Sequence, residues 1–241
     1  MELELLKQLN ELNDAAIYDV CSEEFRPYGQ ILSGYGEDLI RQTSDWLREN
    51  TKIPEEGNQY VASDPALEEL PLIARLKESC YGGMPVQAGY CCGRNTTYNG
   101  FEFHKGSEVN LAVTDLMLVF GDRRKIRPGG YFDNDDAQVF FVPAGCMIEI
   151  YQTTLHLSPL RVTDEGYRTL VVLPRGTNTP LAHRPKPLDD ESRLLLQTNK
   201  WVIAHPQRTQ LTSQGAFPGI LGENKELTYP GRTEPMGDRK S

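Results

Sequence analysis

Residues 98–108 read Tyr-Asn-Gly-Phe-Glu-Phe-His-Lys-Gly-Ser-Glu, and Glu102, His104 and Glu108 within them have the chemistry of metal ligands or proton carriers. Glu102 and His104 are two apart, so in a strand they share one face while Phe101 and Phe103 point the other way into packing. Glu108 follows a short Lys-Gly-Ser turn that can fold it back beside them. Two carboxylates and an imidazole on one wall form a half-shell for a divalent metal, with positions left open for substrate and water. Of the other histidines, His156 lies in a strand-like segment and shares a face with Thr154 and Ser158, which points to a wet interior. His183 sits in a Pro- and Arg-containing loop and reads as a surface residue. His205, before Pro206 at a strand end, reads as a structural or rim residue.

These side chains need strands to hold them. From residue 84 onward, short apolar runs at 85–92, 98–104, 111–120, 138–142, 147–152, 154–162, 168–172 and 201–204 alternate with turn sequences such as Pro143-Ala144-Gly145 and Asp164-Glu165-Gly166. Strands broken by a turn about every 8–12 residues predict a mainly β sandwich or barrel. The first 80 residues differ: the spacing predicts helices near 3–9, over 38–50, and over 64–79, the last opened by Asp64 as cap and Pro65 as first residue. The expected organisation is a helical segment, 1–80, packed on a barrel, 81–216, followed by an extended Gly- and Pro-rich tail, 217–241.

Composition narrows the function. The formal net charge is −9, and the isoelectric point is near 5.0. Such a chain repels phosphate backbones and anionic lipid surfaces, which argues against nucleic-acid and membrane partners. The basic run Arg123-Arg124-Lys125 is short and reads as a solvated turn. No apolar stretch reaches the roughly 18 residues of a membrane span, and the acidic start, Met1-Glu2-Leu3-Glu4, is unlike a secretory leader. The expectation is a cytoplasmic protein. Five cysteines, an odd number with no Cys-x-x-Cys pair, read as reduced thiols rather than disulfides or a zinc-thiolate site.

Residues 102–108 resemble the first motif of the cupin superfamily, Gly-x5-His-x-His-x3/4-Glu-x6-Gly. Glu102 stands at the first His, His104 at the second and Glu108 at the Glu. Pro143-Ala144-Gly145 matches the Pro-x-Gly of the second motif. The chain departs from the pattern at Thr96, Asp115 and Ala137, where Gly is expected, at Ile148 in place of the last His, and at Gln152 in place of Asn. Over roughly residues 80–225 the chain is similar to a bacterial cupin family of uncharacterised function (DUF4867-like), through Glu-x-His-x3-Glu, Thr-Thr-Leu-His and Asn199-Lys200-Trp201-x3-His205-Pro206.

The resemblance implies a cupin jelly-roll barrel. It implies a divalent transition metal, one of Zn, Mn, Fe, Co or Ni, on Glu102, His104 and Glu108, with His156 in place of the missing second-motif His. Several cupins with such ligation are sugar isomerases or epimerases, so the implied reaction is proton transfer through an enediolate of a small sugar or sugar acid. Glu102 is then the candidate base, a role that needs burial or like-charge repulsion to raise its pKa. Arg161 could hold a substrate carboxylate by a two-pronged contact, as could Arg168, although strand-borne arginines are more often structural ion pairs. Tyr98, Gln87 and Lys200 complete the candidate substrate contacts. Two other readings stand beside this one: a non-catalytic sugar- or acid-binding cupin, and an iron-dependent oxygenase. Cupin barrels often pair through edge strands, so a homodimer is expected.

Overall fold

The structure is a computed structural model that describes residues 2–233. Alternation of side chains along the strands dictates its layers. In Glu108–Ala112, Val109 and Leu111 pack outward with helix residues Leu47, Leu67, Leu72 and Leu76, while Ala112 packs inward with Phe140 and Ile148. In Leu116–Asp122, Leu116, Leu118 and Phe120 face inward, and Met117 and Val119 face an outer cluster with Leu9, Phe101 and Phe103. Both faces of each sheet are covered, which is why runs such as Val139-Phe140-Phe141-Val142 are apolar without a break. Each phenylalanine buried this way contributes about 1.5–3 kcal/mol through burial.

One sheet runs Gly29–Ile31, Met147–Ile150, Glu108–Ala112, Tyr167–Pro174, Val86–Gly93, Asn58–Val61 in spatial order. The facing sheet runs Ile17–Asp19, Gln138–Val142, Leu116–Asp122, Thr154–Leu155, with Leu160–Arg161 also paired to Leu116–Asp122. A bridge between Glu102 and His156, with N–O distances of 2.6 and 2.9 Å, continues it into Gly100–Phe103, Lys200–Ala204 and Leu195–Gln197. Two facing, largely antiparallel sheets make this a mainly β, cupin-type jelly roll, as the sequence resemblance implied.

The expected strand 111–120 is two strands. The chain turns at Val113-Thr114-Asp115, where Asp115 accepts from the Ala144 amide and Thr114 Oγ1 from the Arg168 amide. The expected strand 154–162 is likewise broken after Leu155, so that His156 bridges to Glu102. The helix expected over 64–79 opens as anticipated, with Asp64 Oδ1 accepting from the amides of Ala66 and Leu67. It stops at Glu68 because Pro71, which has no amide hydrogen, starts a second helix, Pro71–Arg75, followed by one wide turn, Leu76–Cys80.

Residues 1–80 hold more than helices. Ile17–Asp19 pairs in parallel with Gln138–Val142, Gly29–Ile31 pairs with Met147–Ile150, and Asn58–Val61 pairs with Val86–Gly93. The tail is also tied down as far as residue 233. Ile220–Leu221 pairs with Phe132–Asp133 and Lys225–Glu226 with Thr97–Tyr98, while Asn13 donates to the Thr228 carbonyl (3.0 Å) and accepts from its amide (2.8 Å). The rest of the expected tail, 234–241, lies outside the described residues. Among the described residues no helix is long and apolar enough to cross a membrane. Cys80, Cys91 and Cys92 are free thiols.

Candidate metal centre

Four buried side chains meet between the sheets: Glu102 and His104 at the end of Gly100–Phe103, His156 beside them across the bridge, and Glu108 from the opposite sheet. One ligand atom from each lies within 4.8 Å of the others. His104 Nε2 is 3.5 Å from Glu102 Oε1 and 3.5 Å from Glu108 Oε2, and His156 Nε2 is 3.3 Å from the same Glu108 oxygen. Donors held about 2.0–2.2 Å from one small divalent ion stand about 3–3.5 Å apart at adjacent positions, so the spacing suits such an ion.

The donor chemistry fits as well. His104 Nδ1 lies 2.7 Å from the Asn199 carbonyl and His156 Nδ1 lies 3.1 Å from the Thr154 carbonyl. A carbonyl only accepts, so each ring presents an N–H at Nδ1 to it and leaves Nε2 facing the carboxylates, the nitrogen a metal would take. His104 Nε2 is buried and has no hydrogen-bond partner. Asn199 sits at φ 53°, a left-handed position that Asn tolerates. Its side chain accepts from the Lys105 amide and donates to Thr177, so the turn that carries the His104 acceptor is locked on three sides. Asn110, two residues beyond Glu108 on the same strand face, donates to Glu108 Oε1 at 2.7 Å. Without an ion the cluster satisfies itself by holding a proton. Burial acts against the His104 charge, but the Glu102 and Glu108 carboxylates facing Nε2 win and lift its pKa to about 9. Burial raises the Glu108 pKa, and the two histidines outweigh this and hold it well below the carboxylate range.

Glu102 is bound differently. Its second oxygen, Oε2, lies 2.5 Å from Lys200 Nζ. Burial alone would raise its pKa, yet Lys200, and then His104, bring it down to about 2. Burial, the condition expected for a base, is therefore present, and the neighbouring ammonium overrides it. A cavity of about 210 Å³ opens above Glu102 and Glu108, walled by Tyr60, Lys200, Arg208 and Gln210.

Lys200 alone among the four expected substrate contacts lines this cavity. Arg161 is buried elsewhere, against the Tyr229 ring 5.2 Å away. Tyr98 packs in the outer apolar cluster, because its strand turns that face away from the sheet interior. Gln87 is spent on structure, donating to the Ala62 and Thr177 carbonyls and accepting from the Gly176 amide. Arg168 is tied to Thr51. His183 is exposed, and His205 is held between the Gly222 carbonyl and the Gln207 amide, as expected of surface and structural residues. Cys91 and Cys92 point to opposite sides, toward Tyr167 and Thr51, and burial pushes the Cys91 thiol up to about 12, which leaves it unreactive. Arg208, Asn199 and Asn110 were not anticipated. Asn110 was open to the two-residue rule, but the other two reach the site only through long-range pairing.

Solved structures with some likeness include Bacillus subtilis oxalate decarboxylase, studied for its Mn(II) centres (12% identity, TM-score 0.32, covering 53% of this chain and 28% of that one). EvdO2 from Micromonospora carbonacea var. aurantiaca matches at 14% identity and TM-score 0.43, over 62% of this chain and 87% of that one. Its complex with 2-oxoglutarate matches at 16% identity and TM-score 0.42, over 66% and 93%. The chain thus spans only about a quarter of the oxalate decarboxylase chain. No curated protein matches the sequence. The model of the family described as Domain of unknown function (DUF4867) matches residues 17–225, most of the chain, and the protein belongs to that family.

Proposed function

We propose that this protein is a divalent-metal enzyme that moves a proton between adjacent carbons of a small hydroxylated substrate, a sugar or sugar acid, as an isomerase or epimerase. The observation that carries this reading is the buried cluster of two histidines and two carboxylates at the floor of a polar cavity, with Glu102 and Lys200 both facing that cavity. Glu102, His104, Glu108 and His156 would hold the ion, which when bound supplies Lewis acidity toward substrate oxygens and stabilises the charge that develops as a carbon-bound proton leaves. Glu102 takes that proton on a carboxylate oxygen and returns it to the neighbouring carbon. Its basicity depends on Lys200. If the ammonium turns to a substrate oxygen and the carboxylate leaves the ion to His104, Glu108 and His156, Glu102 loses the two cations that hold its pKa down and moves toward the range a general base needs.

The test is hydrogen exchange. Metal-loaded protein is incubated with aldoses, ketoses and sugar acids in D2O and followed by NMR. Deuterium should enter at the carbon next to the carbonyl, and Glu102→Gln should slow this at least about 100-fold, with metal content measured alongside. Undiminished exchange in the variant removes Glu102 as the base. Saturable binding that ignores chelator, with no exchange, replaces the enzyme by a binding module. Oxygen uptake with iron alone replaces it by an oxygenase.

A homodimer belongs to the same proposal. Gly29–Ile31 is a free sheet edge with Ile31 38% exposed, and open edges need cover. Light scattering should give twice the chain mass of 27.2 kDa, and the single-chain mass would exclude the dimer.

A further inference from the structure

Two chambers meet at one arginine. The cavity over the cluster and an outer cavity of about 300 Å³ share Asn58, Arg208 and Gln210. The outer chamber adds Asn95, Thr97 and Asn99 to its wall, with Glu56 at one side. Amides and hydroxyls both donate and accept, so this wall suits a chain of hydroxyl groups better than an apolar ligand.

Arg208 follows the last strand of the jelly roll by four residues. Its Nη1 donates to Asn99 Oδ1 at 2.9 Å, and Asn99 is fixed in turn by donating to Asn224 Oδ1 at 2.9 Å. Among the described residues no carboxylate lies within 4 Å of the guanidinium. Arg123 and Arg175, by contrast, pair with Glu191 and Glu68. Burial lowers the Arg208 pKa in spite of the field of Glu102, so the charge is drawn out of water without an ion pair in return. Gly100 makes the room: a Cβ there would stand 3.1 Å from Arg208 Nη1 and 2.9 Å from Leu157. A planar, half-buried, oriented and unpaired guanidinium facing a cavity is built to receive an oxyanion.

We propose that Arg208 is the substrate's anion anchor, and that the ligand is an anionic sugar whose carboxylate or phosphate lies on Arg208 while its hydroxylated end reaches the Glu/His cluster. The inference rests on the reading of the cluster as a site for small hydroxylated substrates, and it narrows that class to the charged members. Glu102, Glu108 and the net acidity would otherwise repel an anion, and Arg208 with Lys200 locally offsets that charge.

The experiment is calorimetric titration of the metal-loaded protein with gluconate, glucose 6-phosphate and glucose. At least one anion should bind, and the neutral sugar should bind at least about tenfold more weakly. The two anions separate a carboxylate site from a phosphate site. Arg208→Ala should weaken the preferred anion at least about tenfold while metal content and melting temperature stay near wild type. Arg208→Lys, which keeps the charge and stem but not the fork, should lose part of the affinity. Equal binding of neutral and anionic probes, failure of both anions to bind, or full affinity in either variant overturns the proposal. Binding is read without turnover. Intact anion binding with no exchange in D2O therefore removes the isomerase and keeps the anchor. Exchange of neutral sugars with no anion preference does the reverse.

Discussion

Wild-type protein purified without chelator should carry about one equivalent of a divalent transition metal, and His104→Ala less than about a tenth of that, by elemental analysis of the two in parallel. The size of the effect follows from the position of His104. It is 1% exposed, its Nδ1 is anchored on the Asn199 carbonyl, and its Nε2 stands equally far from both carboxylates. Losing only the group that orients a ligating histidine typically costs about 10–100-fold in metal affinity, so losing the imidazole itself costs more. The change deletes atoms from a pocket and leaves the strand ladder alone, so melting and circular dichroism should still report a folded jelly roll. Equal metal in both proteins would move the ion to another site. No metal in either, even after reconstitution, would end the metal-assisted mechanism and put the binding module first.

Lys200→Met is the second large effect. In the metal-free protein it should lower stability at pH 7 by about 3–5 kcal/mol, because it removes one partner of a buried ion pair and strands the other. The two side chains are only 15% and 10% exposed, with 2.5 Å between Lys200 Nζ and Glu102 Oε2. The pH dependence has a definite sign. Glu102 has its folded pKa lowered from 4.5 to about 2, so its contribution is present above pH 4.5 and is lost as pH falls through about 2. Without Lys200, burial works against that depression. Urea unfolding from pH 7 to pH 3 should therefore bring wild type and variant together as the pH drops. A gap that stays constant over that range would mean that Lys200 stabilises by packing and not by its charge. Bound metal should narrow the gap at neutral pH, since the ion supplies positive charge to the same carboxylate.

Much of this site could be read directly from the order of residues, because its core is local. Glu102 and His104 obey the two-residue rule of strands, and Glu108 returns after one short turn. Thr154 and His156 likewise stood out as polar residues in an apolar segment. Arg208 and Asn199 could not be found in this way. Neither lies in a ligand-like spacing, and each reaches the cluster because Lys200–Ala204 pairs with Gly100–Phe103, a register fixed by packing far along the chain. Arg161, Tyr98 and Gln87 do not line the cavity over the cluster, for the converse reason. Their residue types suited a pocket, but Tyr229, the outer apolar cluster and the backbone groups near residue 176 claim them first. The fold was legible as a class through its turns and apolar runs. The strands Ile17–Asp19 and Gly29–Ile31 were not, since three residues leave no period to detect.

The paired bonds between Asn13 and Thr228 join residues 215 apart in the sequence. Ile17 meets Val139, and Gly29 meets Ile150, across 122 and 121 residues. Closing such loops costs chain entropy before any contact returns it, which places this topology among slow folders, in milliseconds to seconds rather than microseconds. The cluster inherits that timing. Glu102, His104 and Glu108 leave the ribosome together, but His156 and the Asn199 turn that aims His104 arrive much later. Full coordination of an ion would thus be a late event in folding, after the two local carboxylates and His104 are already in place.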